Sequence, residues 1–174
     1  MTKTKLRKQQ KRPSVFMLVY ICSILFTGLT MPLQAARAEQ PAKVVWHVDY
    51  MDPARFSATL TSLYNMATTY DGELKDYDIR VVFVGQGMRF LTDDKLAGTP
   101  LAAKRKYLKR RKELKDRLRS LRSSFNVKME LCNITRLAIN LDKKDLYPGV
   151  ILVQSGVVRI TELQSKGYAY LKVQ

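Results

Sequence analysis

The sequence predicts an α/β fold for residues 39–174, with a mostly parallel five-stranded sheet covered by helices on both faces. Three observations predict it. Short runs rich in Val, Ile and Phe alternate with longer stretches whose apolar residues recur at helical spacing. One run, residues 77–84, carries Ile79, Val81, Val82, Phe83 and Val84, the near-continuous apolar pattern of a strand buried on both faces. Gly, Pro and Asp punctuate the joints between runs, where a strand must hand over to a helix.

The first strand is expected over 43–49 (Lys43-Val44-Val45-Trp46-His47-Val48-Asp49). Asp52 follows as a helix N-cap with Pro53 at the first helical position. Phe56, Leu60, Leu63, Tyr64 and Ala67 then mark an amphipathic helix over 54–69, broken near Asp71-Gly72. The strand over 77–84 is ended by Gly85-Gln86-Gly87, and 88–100 reads as a loop with a helical turn. A long helix is expected over 101–124, with Leu108, Leu114, Leu118, Leu121 and Phe125 along one side. A strand over 127–131, a short helix over 134–140 and a connector over 142–147 come next. Pro148-Gly149 turns the chain into a strand over 150–153. A helix opening at Ser155 or Gly156 is stopped by Gly167, and 168–173 makes the last strand. The sequence contains no internal repeat, low-complexity block or second domain.

Residues 1–38 read as an export signal. Lys3, Lys5, Arg7, Lys8, Lys11 and Arg12 form a basic start, residues 15–29 are almost wholly apolar, and Ala36-Arg37-Ala38 sets a cut after Ala38. The apolar run is short for a membrane-crossing helix, which needs about 20 residues, so an uncleaved anchor is the weaker alternative. The expected location is outside the cytoplasm, in a bacterial periplasm. Cleavage removes seven of the 31 basic residues and none of the 15 acidic ones, so much of the formal charge of +16 is targeting information. It also removes Cys22 and leaves Cys132 without an intramolecular partner. A lone thiol in an exported chain is inert packing, half of an intermolecular disulfide, or a reactive group.

In a parallel sheet, ligands gather at the carboxyl ends of strands. Four places qualify: His47-Val48-Asp49-Tyr50, Gly85-Gln86-Gly87, Cys132-Asn133 and Gln154-Ser155-Gly156. Cys132 is their one strong nucleophile. A thiol at a helix start meets free N–H groups and the positive end of the helix dipole, which favour thiolate, and Arg136 stands one turn on. Its opposite reading is a small buried hydrophobe. His47, the only histidine, could act as base for Cys132 if their strand ends are neighbours, or simply be a satisfied strand-end residue. No ligand set with zinc spacing exists and no cofactor is expected. A Ser155-His47-Asp49 triad lacks the Gly-x-Ser-x-Gly elbow. Gly87 completes only a fragment of a dinucleotide fingerprint, because Phe90 occupies the third glycine position. Asn133-Ile134-Thr135 matches a glycosylation sequon, for which chance is the default explanation.

The helix over 101–124 is strongly basic. Lys104, Arg105, Lys106, Lys109, Arg110, Arg111, Lys112, Lys115, Arg117, Arg119 and Arg122 face only Glu113 and Asp116 within it. Such a run serves an acidic protein partner or an anionic membrane surface, or is a solvated face whose stems cover apolar surface. An exported chain is not expected to meet nucleic acid.

With the elements placed, the chain resembles the DsrE/DsrF family of small α/β proteins related to sulfur-relay subunits. The resemblance spans most of residues 43–172. It is carried by Val44-Val45-Trp46-His47-Val48-Asp49, Leu63-Tyr64-Asn65, Val82-Phe83-Val84-Gly85-Gln86-Gly87 and Leu131-Cys132-Asn133-Ile134-Thr135. Tyr147-Pro148-Gly149-Val150, Val153-Gln154-Ser155-Gly156-Val157 and the ending Leu163-Gln164-Ser165-Lys166-Gly167-Tyr168-Ala169-Tyr170 complete it. The resemblance implies a three-layer α/β/α fold and assembly into trimers or hexamers. It also implies a cysteine that carries sulfur as a persulfide, with Cys132 in the matching segment. Asn133 stands where a glycine often follows that cysteine. The expectation is therefore an exported sulfur carrier acting through Cys132, with backbone N–H groups near Asn133 and Ser155-Gly156 in support. The alternative is a non-catalytic module docking through the basic helix.

Overall fold

The computed structural model describes residues 40–174. The export signal, its cut after Ala38 and Cys22 lie outside the described residues.

Five strands form one sheet: β1 (Ala42–Val48), β2 (Tyr77–Phe83), β3 (Lys128–Cys132), β4 (Val150–Val153) and β5 (Ala169–Leu171), in the order β4-β3-β2-β1-β5. All four pairings are parallel. The order grows in one direction from β1 to β4 and then returns to the far edge. Right-handed crossovers therefore put α1 (Pro53–Gly72) and α2 (Arg105–Phe125) on one face, and α4 (Gly156–Ser165) alone on the other. A single helical turn and a half, α3 (Asn133–Ala138), follows β3. The result is the α/β/α arrangement expected, with unequal outer layers.

Several boundaries move for local reasons. Asp52 caps α1, its Oδ1 accepting from the N–H groups of Ala54 and Arg55, and the helix continues through Gly72 rather than ending at Thr69. The helical turn expected within 88–100 comes earlier, as a 3-10 helix over Gly85–Leu91 that begins at the glycines ending β2. α2 starts at Arg105, not at Leu101, because Thr99 Oγ1 accepts from the Leu101 N–H and folds residues 99–102 into turns. It ends at Phe125, where Asn126 takes a left-handed conformation (φ 51°). The last strand shortens to three residues.

Strand alternation sorts the core. Val44, Trp46, Val48, Ile79, Val81, Phe83, Met129 and Leu131 face α1 and α2, which bury Phe56, Leu60, Leu63, Leu114, Leu118 and Leu121 against them. Phe90 of the 3-10 helix stacks on Phe56 at 3.8 Å between centroids. The opposite face is thinner. Val45 and Val82 meet Ile160, Leu163 and Tyr168 there, and the intervening positions are charged.

Glu130 is 1% exposed and is clamped by two arginines: Arg80 Nη1 donates to Oε1 at 2.8 Å and Arg159 Nε to Oε2 at 2.6 Å. Arg80 also pairs with Asp78 at 2.8 Å. Asp78 in turn accepts from the Tyr168 hydroxyl at 2.7 Å and pairs with Lys128 at 3.1 Å. The network spans β2, β3, α4 and the lead into β5, so it fixes where α4 lies over the sheet. Burial pushes the Glu130 carboxyl up, but Arg159 and Arg80 outweigh it and hold it below the usual glutamate range. The linkage sign follows: a carboxyl depressed in the folded state contributes stability above its unfolded value and loses it as pH falls through the folded value. Glu130→Gln is expected to destabilise the protein by roughly 2–4 kcal/mol, because it leaves two guanidinium groups without their charge partner. Urea unfolding checks this, and the difference from wild type should shrink as pH drops below the ordinary glutamate range.

Candidate functional site at Cys132

Cys132 is the last residue of β3 and the N-cap of α3 (φ −58°, ψ 113°). Its side chain points to the thin face and is 5% exposed. Gly156, the first residue of α4, packs directly on it: a Cβ at Gly156 would lie 3.1 Å from the Cys132 Cβ and collide with the Val84 side chain. Absence of a side chain is what lets the α4 N-terminus approach the sulfur. Backbone N–H groups of Gly156, Thr135 and Ile134, with the Thr135 hydroxyl, surround the thiol. They belong to two separate helix starts, and Ser155 and Cys132, the two N-caps, contribute no side-chain cap bond that would engage those N–H groups.

In sequence, Thr135 belongs to a sequon and to the segment carrying the family resemblance, with no role of its own. In the fold its Oγ1 accepts from the Gly85 N–H at 3.0 Å, which leaves the hydroxyl proton free to turn toward the sulfur. Gly85 itself is left-handed (φ 52°), so the end of β2 is shaped to present that N–H. Burial pushes the Cys132 thiol up, but the N–H groups of Gly156 and Thr135, the Thr135 hydroxyl and the Ile134 N–H outweigh it. The net shift is downward from an ordinary thiol.

The other candidates spread along the same edge. Asn133 and Arg136 sit in α3: Arg136 Nε donates to Asn133 Oδ1 at 2.8 Å and Nη1 to the Leu141 carbonyl at 2.6 Å. Arg136 thus ties α3 to the following turn. Ser155 is half-buried beside Cys132, on the wall of a cavity of about 470 Å3 shared with Ile134, Val153, Gln154, Val158 and Arg159. His47 and Asp49 are elsewhere. His47 pairs across to Val82, and Val82 to Glu130, so β2 stands between His47 and the strand carrying Cys132. His47 Nδ1 and the Tyr170 hydroxyl share a 2.9 Å hydrogen bond, and Asp49 pairs with Lys172 at 2.7 Å. Burial lowers the His47 pKa, with Asp49 opposing. Gly87 lies over the end of β1, where a Cβ would strike the Val48 carbonyl.

The basic helix is less free than its sequence shows. Arg110 and Arg117 both bond Ser57 of α1 and pair with Glu113. Arg111 and Lys115 converge on Asp93, Lys112 pairs with Asp116 and Lys106 with Asp52. Much of the positive charge therefore stitches α2 to α1 and to the segment before it. Among the described residues, Lys104, Arg105, Lys109 and Arg122 of this basic run make no ion pair.

Family comparison decides the identity of this fold: the DsrE/DsrF-like family profile matches residues 43–173. The chain belongs to the DsrE/DsrF-like family. Members of this family are associated with sulfur relay. Among solved structures, the chain is similar to MTH1491, a protein of unknown function from Methanobacterium thermoautotrophicum. The two share 26% identity and a TM-score of 0.57, over 75% of this chain and 98% of that one. No curated protein matches. The matched span contains the whole sheet except Ala42 and every residue around Cys132, so the DsrE/DsrF-like core and the candidate site coincide.

Gly156→Ala is expected to cost about 1–3 kcal/mol through overpacking against Val84. It should also raise the Cys132 pKa, because the α4 N–H must retreat from the sulfur. Chemical denaturation and the pH profile of alkylation read the two effects separately.

Proposed function

We propose that this DsrE/DsrF-like protein carries sulfur as a persulfide on Cys132. One observation carries it: N–H groups from two helix starts and the Thr135 hydroxyl converge on a cysteine whose thiol they lower. The step is a thiol–disulfide-type exchange. Cys132 thiolate attacks the outer sulfur of a donor persulfide R–S–SH and forms a new S–S bond. The donor S–S bond breaks, its electron pair leaves on R–S⁻, and the outer sulfur carries its proton across as Cys132–S–SH. No external oxidant or reductant is required. The same N–H groups stabilise the charge while it sits on either sulfur. Export and a periplasmic site of action form part of this proposal, as does assembly with further copies of the chain. Ile134, Ile151, Val157 and Val158, on α4, β4 and the turn after Cys132, are each 47–60% exposed, which supports an apolar contact there.

A second reading rests on Lys104, Arg105 and Lys109 at the start of α2, which make no ion pair among the described residues: docking of an acidic protein or anionic surface there. It requires no special thiol, and its association should weaken steeply with salt.

Incubation with polysulfide followed by intact-mass measurement should add sulfur to the wild type and none to Cys132→Ser. Equal addition to Cys132→Ser, or none to wild type, overturns the proposal. Thr135→Ala should slow thiol alkylation near neutral pH by several-fold, on the rule of roughly tenfold per pKa unit of thiolate population.

A further inference from the structure

A second cavity opens at the same carboxyl edge but on the α1 and α2 side of the sheet, at the end of β1. It has a volume of about 310 Å3 and is lined by Tyr50, Met51, Gln86, Arg89, Lys104 and Tyr107, with both helix starts beside them. Arg89 is the unusual member. It is 1% exposed. Its Nη1 and Nη2 donate to the carbonyls of Leu101, Thr92 and Asp94, and its guanidinium lies 5.2 Å from the Tyr107 ring centroid. Its Nε is buried with no partner, and among the described residues no carboxylate pairs with it. Backbone carbonyls solvate two nitrogens of this cation but bring no negative charge, and a buried cation without a counter-charge is costly.

The rest of the wall is positive too. Lys104 is the N-cap of α2 and offers no side-chain acceptor to the first turn, so the free N–H groups of that turn remain available. Pro53 begins α1 on the other wall, but Asp52 already caps the Ala54 and Arg55 N–H groups there, so the free helix start is that of α2. The one carboxylate in the lining, Asp52, is already engaged: Oδ1 caps α1 and Oδ2 pairs with Lys106 at 3.1 Å.

We propose that this cavity binds an oxyanion of phosphate or sulfate chemistry, free or as the head group of a small organic molecule. Arg89 Nε–H, Lys104 and the first turn of α2 hold the head group. Tyr50, Met51 and Tyr107 give any organic remainder an apolar wall. The cavity is larger than one inorganic anion needs and lies at the lower end of ordinary ligand-site volumes, which favours the organic form.

Calorimetric titrations of the full chain at constant ionic strength with inorganic phosphate, sulfate and phenyl phosphate test this. Saturable binding is expected, tightest for phenyl phosphate; equal affinity for inorganic phosphate would assign the site to the free anion. Lys104→Glu should weaken binding about tenfold or more, whereas Lys109→Glu, one turn along the same helix and outside the cavity, should change it by less than about twofold. Arg89→Met should abolish binding if the variant remains folded by circular dichroism. Cys132→Ser should bind as wild type, so this outcome is independent of the persulfide proposal. The proposal is overturned by an absence of saturable binding, or by equal weakening in Lys104→Glu and Lys109→Glu, which would mark a general field of the helix.

Discussion

Parallel pairing of all five strands is the constraint on which everything else depends. It sends every strand-to-helix joint to one edge of the sheet. The four strand ends that carry His47, Gly85, Cys132 and Ser155 therefore share a rim although they lie far apart in sequence. Helix starts crowd that rim, and those of α3 and α4, which lack side-chain caps, aim N–H groups at Cys132; α4 comes close because Gly156 has no side chain to hold it off. On the other side of the sheet, two further helix starts border a cavity containing Arg89. The 3-10 helix Gly85–Leu91 lies between: Gly85 bonds Thr135 beside Cys132, while Gln86 and Arg89 line the second cavity.

The two faces of the sheet are built on different physics. The α1 and α2 face is a conventional apolar core, with aromatic contacts from Phe56 to Phe83 and Phe90. The α4 face has only ten helical residues to cover it, and its inner positions alternate charge with valine. Glu130 at 1% exposure is tolerated because Arg80 and Arg159 supply both charge and directed hydrogen bonds. Such a network adds little net stability over an apolar core, but it is strict about geometry. Sliding α4 by one turn would separate Arg159 from Glu130 and Gly156 from Cys132 together, so the network also holds the register on which the thiol environment depends.

Much of the fold was legible because its signals are local. Val and Ile runs, the Asp52-Pro53 start and the Gly167 stop mark elements without reference to the rest of the chain. Position 132 at a strand-to-helix joint was legible for the same reason. Thr135 was not, since its part depends on a hydrogen bond from Gly85, fifty residues earlier. Arg80 and Glu130 were passed over inside apolar strands, though a charge within a buried run is itself a signal of a network. Arg89 carried no sequence signal: it looked like one more cation in a basic chain.

By itself, the sequence determined the alternation of strands and helices, the α/β class, the basic character of α2 and the cysteine at the end of β3, because each follows from neighbouring residues and their periodicity. Only the tertiary structure decided what those groups meet. It separated His47 from Cys132 by a strand, committed Arg110 and Arg117 to Ser57 of α1, and turned Gly156 into a neighbour of the sulfur. These outcomes depend on strand order and crossover handedness, which bring together residues that no local pattern connects.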